Sequence, residues 1–167
     1  MIVDNRNCVS FSSKIHVFYV YFIKYPEFRS VFYYRFKIAK AFAFLLPPMP
    51  TLYIETADIG PGLFIQHGFS TIIAAHKIGE NCWINQQVTI GYANKVDAPT
   101  IGDNVAVKAG AKVIGGITLG NNSVVGANAV VVKDVPENCT VGGVPAIILR
   151  RNGIRVHEQR VALSADE

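Results

Sequence analysis

From Ile101 to Val131 an aliphatic residue returns at every sixth position without a slip, opening the blocks IGDNVA, VKAGAK, VIGGIT, LGNNSV, VGANAV and VVKDVP. The fifth place of each block is restricted too: Val105, Ala111, Ile117, Ser123, Ala129 and Val135 are mostly small or β-branched. The same phase runs upstream through IGPGLF at 59, IQHGFS at 65, IGENCW at 78, INQQVT at 84 and IGYANK at 90. Two slips interrupt it, one residue too many between 65 and 78 and one too few between 90 and 101.

A period of six is not a multiple of the 3.6-residue helical turn, and too few turn pairs punctuate it for an array of antiparallel hairpins. It fits a coil of short strands. The first and fifth places of each block then point inward, and Gly, Asn and Asp at the second to fourth places make the corners. Three blocks close a triangular turn, and successive turns stack at about 4.8 Å with every strand pairing to the one above and below. Residues 52 to about 148 would supply about five turns of such a solenoid.

The rest of the composition agrees with a folded chain. With 167 residues, 50% hydrophobic and 17% charged, it is too apolar for disorder and large enough to build a core without staples. The organisation expected is an N-terminal helical segment at 1–50, the solenoid with its closing segment at 51–151, and a tail at 152–167. Cys8, Cys82 and Cys139 are an odd, scattered set with no CxxC, which argues against a disulfide framework or a zinc ribbon and for a reducing, cytoplasmic setting. The N-terminus shows no secretory layout, and no run reaches the length of a membrane span. Residues 1–50 carry seven Lys/Arg against two acids, 51–132 four against five, and 133–160 five against three. Basic flanks around a neutral middle suit phosphates or an anionic surface, but no Lys/Arg-rich block marks a nucleic-acid arm. The stretch from Ser12 to Leu46 is rich in Phe, Tyr, Ile and Ala. Pro26 splits it and Pro47-Pro48 ends it, which predicts two helices. Their aromatic residues imply burial against the solenoid or an oligomer contact, with contact to a membrane surface as the sharper alternative.

The blocks resemble the hexapeptide repeat of the left-handed parallel β-helix acyltransferases, and the fold class expected is that mainly-β coil with a short N-terminal α-helical segment. The closing segment VVVKDVPENCTVGGVPAIILRR at 130–151 is similar to the one that ends the coil in coenzyme A-dependent acetyltransferases of this superfamily. The serine acetyltransferase branch is most similar, through IGPGLFIQHGFSTII at 59–73, INQQVTIGY at 84–92 and VKAGAKVIGGITLG at 107–120, and more weakly YPEFRSVFYYRF at 25–36. The resemblance implies acetyl-CoA as co-substrate and a homotrimer, the shorter helical region suggesting that the trimer is the end state.

Acetyl transfer to a hydroxyl needs a base that titrates near neutrality, and histidine is the natural one. The chain has His16, His67, His76 and His157. His67, at the third place of IQHGFS, lies outside the inward positions Ile65 and Phe69 and so on a corner; its place matches the family's general base. His76, two residues before the block at Ile78, has no family counterpart and reads as a solvated corner residue, with the border of the same cleft as the alternative. The family orients its base with an aspartate fifteen residues upstream, where this chain has Leu52; Glu55 and Asp58 are the nearest carboxylates, each either a replacement partner from a shifted position or an ordinary solvated surface group. A second family histidine falls at Ala98. The resemblance further implies an oxyanion donor at the backbone near Gly91 and Tyr92, a close approach of the pantetheine arm at Ala109 and Ala127, and phosphate contacts from Lys133, Arg150 and the neighbouring Lys108, Lys112 and Arg151. The γ-class carbonic anhydrases share this coil, but their zinc takes three histidines, and the solenoid has only His67 and His76, nine apart, so no metal is expected.

The activity expected is acetyl-CoA-dependent O-acetyl transfer to serine or a related small hydroxyl acceptor. The alternatives are a sugar or polysaccharide-precursor acetyltransferase, or a non-catalytic trimeric scaffold that holds a partner with its aromatic helices. The C-terminus Ser164-Ala165-Asp166-Glu167 lacks the isoleucine ending by which serine acetyltransferases dock in their sulfhydrylase partner.

Overall fold

The computed structural model describes residues 11–156. Cys8, His157 and residues 158–167 of the C-terminal tail lie outside the described residues. The chain divides into two compact units, Met1–Met49 and Pro50–Glu167.

In the first unit α1 spans Phe11–Lys24 and α2 spans Pro26–Arg35. Pro26 stands at the start of α2, where its missing N–H is no loss, and it forces Tyr25 into an extended cap (φ −117°, ψ 102°). The second predicted helix stops short. Phe36 leaves the helical region (φ −111°, ψ 79°), and residues 36–46 run as turns around a 3-10 segment, Ala39–Phe42. The side chains of α2 supply the reason: Tyr33 donates to Leu46 O (3.0 Å) and Arg29 Nε to Pro47 O (2.8 Å), drawing the segment back along the helix. Arg29 also donates to Phe22 O and Ile23 O at the end of α1, so this buried cation closes the hairpin.

The second unit is a three-sided parallel β-solenoid of five coils. The first holds β1 (Leu52–Ile54), β2 (Asp58–Ile59) and β3 (Phe64–Ile65); the second β4 (Thr71–Ile73), β5 (Lys77–Ile78) and β6 (Trp83–Ile84); the third β7 (Thr89–Gly91), β8 (Thr100–Ile101) and β9 (Ala106–Val107). The fourth holds β10 (Lys112–Ile114), β11 (Thr118–Leu119) and β12 (Val124–Val125). The fifth has β13 (Val130–Val131), a bridge from Val135 to Leu119, and β14 (Cys139–Gly142). β15 (Ile147–Arg151) and β16 (Ile154–Arg155) then fold back antiparallel on β14 and close the third face. The first face is β1-β4-β7-β10-β13, the second β2-β5-β8-β11, and the third runs from β3 to β16.

The first places stack into three columns. Ile73, Ile90, Val113 and Val131 line the first face, Ile78, Ile101, Leu119 and Val135 the second, and Ile65, Ile84, Val107, Val125 and Val141 the third. All are buried, each contributing about 1.5–3 kcal/mol of transfer free energy. The fifth places Cys82, Val88, Val105, Ala111, Ser123 and Ala129 fill the gaps between columns. Burial pushes the Cys82 thiol above its ordinary value. Two expected positions are corrected. Phe69 is 43% exposed, and its inward place is taken by Thr71, in register with Leu52. The block at 90 ends at Gly91, leaving Asn94 in an exposed loop.

Candidate active site

The second edge of the prism, between its second and third faces, shows what a regular corner requires. It takes six residues in every coil: 59 to 65, 78 to 84, 101 to 107, 119 to 125 and 135 to 141. Asn81, Asn104, Asn122 and Asn138 adopt left-handed backbone there (φ 54°–59°), a conformation Asn tolerates and β-branched residues do not. Gly60, Gly79, Gly102 and Gly120 stack beside them; a Cβ on Gly60 would lie 2.6 Å from the carbonyl carbon of Gly79, and one on Gly79 2.6 Å from that of Gly102.

The third edge is regular everywhere except at His67. Ile84 to Ile90, Val107 to Val113 and Val125 to Val131 are six residues apart, but Ile65 to Ile73 is eight. The excess is His67-Gly68. Gln66 N–H bonds Ile84 O (2.8 Å) and Gln87 N–H bonds Phe69 O (3.0 Å), so the ladder skips from Gln66 to Phe69 and extrudes the pair between them. His67 (φ 65°), Gly68 (φ 49°) and Ser70 (φ 52°) are all left-handed, and Phe69 N–H closes a tight turn on His67 O (2.6 Å). A left-handed histidine is a strained residue of the kind that persists where the surroundings over-determine it. The extrusion also turns Phe69 outward. Thr71 Oγ1 steadies the corner by donating to Phe69 O (3.2 Å). The imidazole is exposed, and no side chain among the described residues hydrogen-bonds it.

Ala109 and Ala127 lie on the same edge two and three coils on, in the column that begins Phe69, Gln86. Both are small, so in the third and fourth coils the column lacks the bulk that Phe69 and Gln86 give it in the first two. Lys108 sits beside it with its ammonium 4.1 Å from the centre of the Trp83 ring, and Trp83 packs edge-to-face on Phe64 (5.6 Å). Lys112 Nζ donates to Gln87 O (2.7 Å) and braces the corner itself.

The remaining candidates fall elsewhere. Glu55 and Gly91 stack on the first edge, between the first and second faces, where Glu55 N–H bonds Ile73 O and Ala74 N–H bonds Ile90 O; Lys133 follows on the same edge in the fifth coil. His76 is on this edge too, donating its N–H to Pro99 O (2.9 Å). Asp58 lies on β2 and pairs with Lys77 (3.5 Å). Arg150, on β15, stands opposite Thr140 and Arg155. Leu52 (8% exposed) and Ala98 (1%) both face the core. Beyond Gly91 the first edge opens into a loop, Tyr92 to Pro99, organised by Asn94, whose Oδ1 accepts from Val96 and Asp97 N–H.

One group escaped sequence reasoning. Gln66, Asn85 and Gln86 form an amide cluster on the third edge: Asn85 Nδ2 donates to Gln66 Oε1 (3.3 Å), while Asn85 Oδ1 and Gln86 Oε1 are buried without a donor among the described residues. The visible signal was the run Asn85-Gln86-Gln87 at a corner that holds Ala109-Gly110 and Ala127-Asn128 in later coils. Among the described residues, no group of three or more His, Cys, Asp or Glu is placed to hold a metal ion.

Residues 98–133 match the family described as Bacterial transferase hexapeptide (six repeats), and the solenoid is coiled as a left-handed parallel β-helix. The chain is similar to serine acetyltransferases. Those of Synechococcus elongatus and Staphylococcus aureus are 45% identical over 104 residues, 60% of this chain and 43% and 49% of their own lengths. The soybean serine acetyltransferase apoenzyme superposes with a TM-score of 0.53 at 38% identity, covering 55% of this chain and 39% of its own. A serine acetyltransferase in complex with cysteine gives 0.55 at 35% identity, over 56% and 38%. The chain thus spans less than half the length of these relatives.

Proposed function

We propose that this protein transfers an acetyl group from acetyl-CoA to a hydroxyl acceptor, with His67 as the general base. The observation that carries the proposal is the corner at His67: two residues expelled from an otherwise regular edge, holding an exposed imidazole on the edge that carries Ala109 and Ala127 two and three coils on. The neutral imidazole takes the acceptor's proton as its oxygen attacks the thioester carbonyl, and returns it to the departing thiolate when the tetrahedral intermediate collapses. A backbone N–H at the loop that opens after Gly91 meets the oxyanion.

Apart from Asp58 on β2 and Arg150 on β15, the candidate residues lie on two edges. His67, Ala109 and Ala127 mark the third, and Glu55, Gly91 and Lys133 the first. The two sets converge when the third edge of one copy faces the first edge of another, as in a cyclic homotrimer with a site at each interface. Glu55 then orients the imidazole from the neighbouring copy, while Lys133 and Arg150 meet the coenzyme phosphates.

Serine is the acceptor named by the relatives, and a saccharide hydroxyl is the second reading. The places where the resemblance implies an aspartate and a second histidine hold Leu52 and Ala98, both turned into the core, so neither can contact an amino-acid acceptor. Thiol release from acetyl-CoA, measured against L-serine, monosaccharides, nucleotide sugars and oligosaccharides, tests the assignment. Release with any hydroxyl acceptor, lost in His67→Ala, is the expected result. No release, together with no thermal shift at millimolar acetyl-CoA, would turn the reading toward a non-catalytic scaffold.

A further inference from the structure

The N-terminal unit carries far more apolar surface than its own packing uses. Its core is complete: Phe22, Phe32 and Tyr33 interlock edge-to-face, and Arg29, Ser30 and Tyr33 tie the returning segment to α2. Outside that core, the turn segment from Phe36 to Leu45 exposes nearly every large side chain, with Ile38 at 88% and Phe44 at 77%. On α1, Ile15, Val17, Tyr19 and Ile23 are exposed as well.

The charges around these side chains are of one sign. Residues 11–49 hold six Lys/Arg and a single acid, Glu27. Lys37 and Lys40 are interleaved with Phe36, Ile38 and Phe42, and Lys14 and Lys24 sit at the two ends of α1, all four exposed. A second copy of this unit would bring like charges together, and a basic protein partner would do the same. A surface that accepts aromatic and aliphatic side chains while neutralising several lysines is an anionic lipid interface. No helix among the described residues is long and apolar enough to cross a membrane, so the contact is peripheral.

We infer that residues 36–45, with the exposed face of α1, dock this protein on the surface of anionic membranes, Ile38, Phe42 and Phe44 entering the acyl boundary and Lys37 and Lys40 meeting the headgroups. This is independent of the acetyltransferase reading, and its test does not measure activity. The full chain is sedimented with vesicles of phosphatidylcholine containing 30 mole per cent phosphatidylglycerol, and with phosphatidylcholine alone.

Most of the protein is expected to pellet with the anionic vesicles at 50 mM salt and to be released by at least tenfold in apparent affinity at 500 mM, because the lysine contribution is screened. Phosphatidylcholine alone should bind at least tenfold more weakly. Ile38→Glu/Phe44→Glu should abolish sedimentation with an unchanged melting temperature and molar mass, and Lys37→Glu/Lys40→Glu should remove the preference for the anionic lipid. The salt release is read on the wild type and does not depend on a variant folding. Failure to sediment with anionic vesicles at low salt overturns the proposal. So does a fall in molar mass for Ile38→Glu/Phe44→Glu without lipid binding by the wild type, which would make the surface a contact between copies.

Discussion

The second and third edges of the prism are built from the same six-residue block and are put to different use. The second takes six residues in all five coils, with glycines where the next coil passes too close for a Cβ and asparagines where the backbone turns left-handed. The third follows the same count until it reaches His67, where two residues leave the ladder. The first edge is freer still, with five residues in the first two coils (54 to 59, 73 to 78), eleven in the third (90 to 101) and four in the fifth (131 to 135). None of the candidate site residues lies on the second edge. One edge sets the pitch of the coil, and the other two are thereby left able to vary.

The sharpest test of that division is at His67. Replacement by alanine removes the imidazole but not the corner, so if the proposed base is right turnover should fall by about 10²–10⁴-fold, with melting temperature and acetyl-CoA binding unchanged. Steady-state thiol release and a thermal melt on the same preparation check both halves. Turnover within a factor of two of wild type would take the imidazole out of the chemistry.

On the second edge the expected loss is in stability alone. Gly79→Ala would place a methyl 2.6 Å from the backbone of Gly102, in contact with main chain that has nowhere to move. Overpacking of this kind costs about 1–3 kcal/mol, and denaturant melts should show it as a lower midpoint with an unchanged slope. The specific activity of the protein that remains folded should match wild type, since this edge carries no site residue. A selective fall in kcat would break the separation between the two edges.

The same comparison shows how much of this was legible in the sequence. Every first place from Ile101 to Val131 is where a spacing of six puts it, because an inward column repeats only if the spacing does, whereas the step of four from Val131 to Val135 moves Val135 from the fifth place of its block to the first place of the second face. The two slips were visible only as remainders. Counting by sixes cannot tell a deficit of one from an excess of five, and the step from Ile90 to Ile101 is the latter: a single corner carrying a five-residue loop. The step from Ile65 to Ile78 hid two changes that nearly cancel, two residues gained at His67 and one lost between Ile73 and Ile78. For that reason Phe69 was expected inside, in the place Thr71 takes. The extruded corner at His67 was hidden in the remainder, although the residues flanking it were distinctive in the sequence. Glu55 lies on the first edge and Asp58 pairs with Lys77, so neither is placed against the imidazole within one copy, and any partner supplied by a second copy would leave no periodic trace in one chain.

Thr71 links the two kinds of edge, being an inward residue that holds an outward corner. Thr71→Val keeps the volume and removes the hydroxyl that donates to Phe69 O. The loss of this part-buried hydrogen bond should cost about 1 kcal/mol, a shift in melting temperature of about 2–4 °C for a domain of this size. The extruded corner should also loosen, lowering kcat several-fold with little change in KM for acetyl-CoA. An equal fall in kcat for Thr71→Ser, which restores the hydroxyl, would show that packing and not the hydrogen bond positions His67.

The smallest effect expected is also the one with the opposite sign. His67 holds φ at 65°, a conformation that disfavours any residue with a Cβ and costs glycine nothing. His67→Gly relieves that strain at an exposed site where no side-chain contact among the described residues is lost, offset in part by the greater freedom glycine gains in the unfolded chain. The net gain should be about 0.5–1 kcal/mol, while turnover falls as far as in His67→Ala. Alanine keeps the strain and glycine releases it, so the difference between the two melting temperatures measures what the corner stores. If His67→Gly melts no higher than His67→Ala, the corner is unstrained and its left-handed turn follows from the two-residue insertion alone.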